Sequence, residues 1–178
     1  MPALAALTLL GALALTGCAA GTTTPAATPA PSSTGSASAA TGDSCAGVSV
    51  VVDFGPLEAA TITGCAATGD AATVAATTVV AAAGATTEGT VQYGDQVVCR
   101  VNGRPAIDET ITVDGAPPFT ESCQGMPAAA AYWALWVKPS ADADWEYAQE
   151  GLGSLKLKPG QSVGLVFTTG TETPTPGS

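Results

Sequence analysis

The chain has no histidine, and only five of its 178 residues are basic, none of them before Arg100. Histidine is the side chain best placed to move protons near neutral pH and a principal zinc ligand. Its absence removes the usual nucleophile–base pairs, and nothing replaces them by a Ser–Lys pairing, so an enzyme is not expected. With so few Lys and Arg, the formal net charge is −10. That charge repels phosphate backbones, so nucleic acid is not expected as a partner. No C-x-x-C spacing occurs, which argues against a zinc ribbon. A membrane-spanning helix needs about 20 apolar residues, and the apolar run near the start, from Ala3 to Leu15, is shorter than that.

What the chain does have begins where that run ends, at Leu15-Thr16-Gly17-Cys18. A short apolar core closed by small residues is the pattern of a cleaved signal peptide, although only Met1 and Pro2 stand where a basic segment is usual. The four residues resemble the lipobox of bacterial lipoprotein signal peptides. The resemblance implies that residues 1–17 are removed and that Cys18 becomes the acylated first residue, which holds the protein on the extracytoplasmic face of the cell membrane. Two or more acyl chains anchor far more firmly than one. Thr, Ser, Ala, Pro and Gly make up the whole of Ala19 to Gly42. Such a stretch buries too little apolar surface to offset its ordering entropy. Residues 18–43 therefore read as a disordered tether, long enough to set the domain about 25–30 Å from the bilayer. A single globular domain is expected over residues 44–167, followed by a disordered tail over 168–178.

With Cys18 set aside, Cys45, Cys65, Cys99 and Cys123 are an even number in an exported domain, so two disulfides are expected. Three pairings are possible. The local closures, Cys45 with Cys65 and Cys99 with Cys123, are favoured, each worth roughly 3 kcal/mol in the chain-entropy treatment. A metal site built from these thiols is the alternative, and no histidine is present to complete it.

Val48 to Phe54 is a β-branched run closed by Gly55-Pro56 and reads as a central strand, with a second short strand near Thr61–Cys65. The segment from about 70 to 83 reads as the one helix, with Asp70 as its cap, Gly84 at its end, and Val74, Thr77, Thr78 and Ala81 on its apolar face. Gln96 to Val101 is a strand that meets a turn at Asn102-Gly103, with Arg104-Pro105-Ala106-Ile107 returning antiparallel. Ile111 to Val113 reads as a further short strand. Ala131 to Lys138 is the most aromatic stretch. As a strand it places Trp133, Leu135 and Val137 on one face and Tyr132, Trp136 and Lys138 on the other. Trp145-Glu146-Tyr147 is its expected partner, although loop length alone leaves open whether Trp145 and Tyr147 join the Trp136 face. Val163 to Phe167 closes the domain. The fold class is α+β, rich in mainly antiparallel sheet.

Three motif matches fail on their surroundings. Gly160-Gln161-Ser162-Val163-Gly164 fits the spacing of a nucleophile elbow, but a Pro-Gly turn precedes it, a strand follows and no histidine exists. Asp142-Ala143-Asp144 begins like a calcium loop, yet the sixth position is Tyr147 and the twelfth Gly153. Asp108-Glu109 is a pair in sequence only, since neighbours on a strand point to opposite faces. The aromatic residues are the better candidates. Trp133 reads as core, whereas Tyr132, Trp136 and Trp145 read as a ligand or protein contact beside a Pro-Gly-rich loop.

Val50 to Gly55, Val98 to Pro105, and Tyr132 to Trp136 with Trp145, Tyr147, Gly151 and Pro159-Gly160 together resemble a family of small actinobacterial envelope lipoproteins of unknown function. Their domain is similar, more distantly, to the C-terminal domain of transcobalamin and intrinsic factor. The resemblance implies a β-rich α+β domain with one helix, and some of the relatives occur alongside cobalt or vitamin transporters. The expectation is a membrane-anchored binding or transport-accessory domain for a corrinoid-like small molecule. The alternative is a structural or protein-interaction lipoprotein without a small ligand. No resident cofactor is expected.

Overall fold

The computed structural model describes residues 45–169 together with Pro176 and Gly177. The signal peptide expected at 1–17, the acylation expected at Cys18 and the tether expected over 18–43 lie outside the described residues. In chain order the elements are β1 (Val48–Asp53), a 3-10 turn (Gly55–Leu57), β2 (Ile62–Ala66), β3 (Val74–Ala75) and α1 (Ala76–Ala82). They continue with β4 (Thr87–Thr90), β5 (Gly94–Val101), β6 (Ala131–Lys138), β7 (Glu146–Tyr147), β8 (Lys156–Leu157) and β9 (Ser162–Thr169). Five strands form one sheet in the order β2-β1-β9-β6-β7, and β3-β8 and β4-β5 are separate pairs. Every pairing is antiparallel except β1 with β9. The domain is thus β-rich with a single helix among the described residues. In that group no helix is long and apolar enough to cross a membrane.

Alternation along the strands decides which face of the sheet becomes core. Val48, Val50 and Val52 of β1 point inward and are fully buried, as are Val163, Leu165 and Phe167 of β9. Trp133 of β6 lies among them, with its ring edge-on to Phe54 at 5.3 Å and to Phe167 at 5.5 Å between centroids. Its indole N–H donates to the Arg104 carbonyl at 3.1 Å, which satisfies a polar group that burial would otherwise penalise. The helix lays Ala76, Val79 and Val80 onto the same core. Strand β9 runs past Phe167, with Thr168 buried and Thr169 its last residue, so the ordered domain extends beyond the boundary read at Phe167.

The helix is shorter than the span of about 70 to 83 that the sequence suggests. Val74 and Ala75 instead extend to pair with Leu157 and Lys156, and Ala76 begins the helix with its N–H on the Leu155 carbonyl at 3.0 Å. Val74 is β-branched and gains a ladder partner there. Asp70 therefore lies ahead of the helix, whose N-cap, Ala75, offers no side-chain acceptor. With the phase fixed from Ala76, Thr78 and Ala81 face solvent and Val79 and Val80 turn inward. Gly84 does take the left-handed conformation at the helix end, with φ +87°.

Strand β4 was not signalled in the sequence, because Glu88 and Gly89, both poor strand formers, interrupt its two threonines. It forms because β5 supplies its partner, across a bulge at Glu88 to Thr90. At the far end of β5, Asn102 and Gly103 take φ of 49° and 72°, as a two-residue hairpin turn of this type requires. The return strand is reduced to one bridge, Val101 with Arg104, and the expected strand at Ile111–Val113 to one bridge with Phe119. Arg100 takes over the task of holding this loop-rich region. Buried at 6% exposure, it donates from Nε to the Pro105 carbonyl at 2.8 Å and from Nη2 to the Glu121 carbonyl at 2.7 Å. Its Nη1 meets Glu88 Oε1 at 2.8 Å.

Both disulfides are the local closures. Cys45–Cys65 ties the entry of β1 to β2 across 20 residues, and Cys99–Cys123 ties β5 to the segment leading to Met126 across 24. Converting either pair to alanine should cost about 3 kcal/mol of stability, because the denatured chain regains the freedom that the closed loop removes. Urea unfolding of each double variant tests this, and a loss below about 1 kcal/mol would show that the loop-entropy account does not hold here.

Candidate functional site

Strand β6 carries two different surfaces, and the second is aromatic. Ala134 and Trp136 join Val166 of β9 in a small cluster on the outer face, with Tyr132 and Trp145 packed against it. The β6–β7 register places Trp136 directly opposite Tyr147, and their rings stack at 3.9 Å with an interplanar angle of 24°. Trp145 belongs to the same group, with Lys138 Nζ 5.9 Å from its ring centroid. The register that loop length left open thus brings Tyr132, Trp136, Trp145 and Tyr147 to one face. Trp136, at 6% exposure, is covered rather than presented.

Next to this group lies a cleft of about 330 Å³. One wall is β5 at Gln96, Val97 and Val98, and the other is β6 with the turn that follows Tyr147. Met126 and Pro127 close a third side, and Met126 is 66% exposed. Tyr132 lines the cleft, whereas Trp136 and Trp145 do not. Tyr147 takes their place, with its hydroxyl 3.4 Å from that of Tyr132 at the rim. Gly151 and Leu152 line the cleft where the turn over residues 151–154 presses against β5. The Gly153 N–H donates to the Asp95 carbonyl at 2.8 Å, and Ser154 Oγ donates to Gln96 Oε1 at 3.1 Å. A Cβ on Gly151 would stand 2.2 Å from the Gln96 carbonyl oxygen, so the close approach needs glycine there.

The chemistry of this lining is mixed and selective. Val98, Leu135 and Leu152 supply apolar surface, two phenols and the amides of Gln96 and Gln149 supply hydrogen bonds, and Glu150 is the one charged lining residue. The arrangement suits a neutral or cationic, partly planar molecule and disfavours anions. Gln96, Met126 and Gln149 were not among the candidate contact residues read from the sequence, and Tyr147 was named there only as a possible member of the Trp136 face. They come together only through β5–β6 proximity, which no local pattern encodes. The Cys99–Cys123 bond is what holds two of the walls, because the segment after Cys123 leads straight to Met126. The backbone of Val91 and Gln92 binds the same segment, at the carbonyls of Cys123 and Gln124.

Two other clusters have structural explanations. Cys99, Cys123 and Glu121 place ligand-type atoms within 4.8 Å of one another. The sulfurs are bonded to each other and Glu121 Oε1 accepts the Cys123 N–H at 2.7 Å, so no thiolate is left to hold an ion. A smaller cavity of about 190 Å³ lies beside Leu57, Glu109, Ile111 and Phe167. The Glu109 carboxylate there is used by Arg104 Nη2 at 2.5 Å and the Ala106 N–H at 2.6 Å. Comparison of the chain with protein-family models, curated proteins and solved structures finds no match.

Proposed function

We propose that this chain is a membrane-anchored extracytoplasmic lipoprotein whose domain captures a small molecule as a binding or transport-accessory component. The observation that carries the reading is the cleft of about 330 Å³ between β5 and β6, with its paired phenols, two side-chain amides and apolar surface. That volume is at the lower end of ligand pockets, which span roughly 300–1,000 Å³. It takes a compact ring system whole, or one edge of a larger macrocycle of the corrinoid class. The net charge of −10 and the position of Glu150 on the lining favour ligands without negative charge. Anchoring through Cys18 would keep such a domain beside the membrane that its ligand must cross.

The test is calorimetric titration of residues 41–178, the compact unit of the chain, against corrinoids, haem and divalent metals. Saturation at one-to-one stoichiometry with a corrinoid supports the reading. Tyr132→Ala should then weaken binding about 10-fold, since an aromatic contact with its hydroxyl contributes on the order of 1–1.5 kcal/mol. Silence across the panel favours a protein-interaction lipoprotein. The exposed side chains of Val91, Tyr93 and Met126, at 75%, 41% and 66%, support that second reading as a surface for another envelope protein.

A further inference from the structure

Glycine at position 164 is out of keeping with its strand. It sits in the middle of β9 among Val163, Leu165, Val166 and Phe167, where a side chain would add packing and a glycine weakens the strand. Contact explains it. A Cβ at this position would lie 2.2 Å from Cγ of Pro176 and 3.3 Å from Cζ3 of Trp145. Pro176 is buried against the sheet, and Gly177 follows it with φ +73°. The register puts Gly164 opposite Trp136 on β6 and opposite Val51 on β1, so the proline ring rests on the outer face, beside the aromatic group.

A second observation at the same face concerns a hydrogen bond. The indole Nε1 of Trp136 is buried and has no acceptor among the described residues. Buried indole N–H groups normally find one, and an unpaired donor costs about 1–3 kcal/mol. With Pro176 in place the donor is still unpaired, so the site keeps an unmet demand for an acceptor, of which a proline-bearing segment has many, because each proline keeps its carbonyl while giving up its own N–H. Such segments are also stiff, so laying one into an aromatic-walled groove costs little entropy.

We propose that the outer face of the sheet, floored by Gly164 and walled by Trp136 and Trp145, is a docking groove for a proline-bearing segment. This chain's own C-terminal end occupies it through Pro176. The groove is separate from the cleft and does not depend on the cleft's ligand. The occupant in cis regulates access: a proline-bearing peptide binds only when the end is displaced.

Indole N–H signals in a nitrogen-15 correlation spectrum of residues 41–178 test this, with Trp133 as the internal control for the fold. Pro176→Ser should shift the Trp136 and Trp145 signals and leave Trp133 in place. Adding the synthetic peptide Thr-Pro-Thr-Pro-Gly-Ser should return them saturably, at least 10-fold more tightly than the peptide binds the unaltered chain. Adding Gly164→Ala to that variant should abolish the return, because a methyl group then stands where the proline ring sits. Trp145→Ala should weaken it without touching the strand itself. Unmoved Trp136 and Trp145 signals in Pro176→Ser, or a peptide that leaves the opened variant unchanged, would overturn the proposal.

Discussion

Replacing Arg100 by methionine should lower the stability of the domain by about 3–5 kcal/mol, the cost of removing one partner from a buried charged hydrogen-bond set. The side chain is 8% exposed and reaches three acceptors at once. Methionine fills the space of the stem but leaves the Pro105 and Glu121 carbonyls unpaired in the interior, each at a cost of about 1–3 kcal/mol. Lysine is no rescue, because a single ammonium cannot reproduce the planar fork that spans both loops. By contrast Glu88→Gln, which removes the charge from a side chain 55% exposed, should cost less than about 1 kcal/mol. Urea unfolding with the disulfides intact separates the two. A loss below about 1 kcal/mol for the methionine variant would mean that water replaces the guanidinium. Function should follow stability here, since Arg100 positions the residue 121 segment that continues to the Met126 wall of the cleft.

Arg100 also shows where sequence reading reaches its end. Its place on a strand was legible, as was the Asn102-Gly103 turn beside it, because both rest on local chemistry. The acceptors at Pro105 and Glu121 were not, since they lie in loops whose return is fixed only by the folded chain. The same division runs through the rest of the domain. The parity of β6 was visible from Tyr132 to Lys138, and the structure keeps it: Trp133 faces the core and Trp136 the opposite side. The disulfide pairing followed from loop length. The start of the helix did not, because Val74 has a strand partner, Leu157, that lies far along the chain. The cleft was half visible. Tyr132 was singled out, but Gln96 and Gln149 have no signature of their own, and they gain meaning only when β5 and the turn after β7 are brought side by side.

The two tryptophans of β6 make the sharpest comparison, because one backbone strand presents nearly equal burial with opposite polar fates. Both are 6% exposed. Trp133 has edge-on partners in Phe54 and Phe167 and a hydrogen bond to the Arg104 carbonyl. Trp133→Ala should therefore cost about 3–5 kcal/mol, the range for emptying a large aromatic site in a core. Trp133→Phe should still cost about 2 kcal/mol, since it removes one of the two hydrogen bonds to the Arg104 carbonyl, which keeps the Val101 N–H, and leaves part of the volume empty. At Trp136 the indole N–H has no acceptor, so phenylalanine removes an unsatisfied donor along with some contact area. The two terms oppose each other, each of order 1 kcal/mol, and Trp136→Phe should be nearly neutral. Chemical unfolding of the two phenylalanine variants reads the difference directly. If Trp136→Phe were as damaging as Trp133→Phe, stacking on Tyr147 would be worth more than the orphaned donor costs, and the outer aromatic face would count as a second core. A neutral Trp136→Phe would instead mark the indole nitrogen as a group retained without benefit to the fold. Its place beneath the surface where Pro176 rests would then be explained by binding.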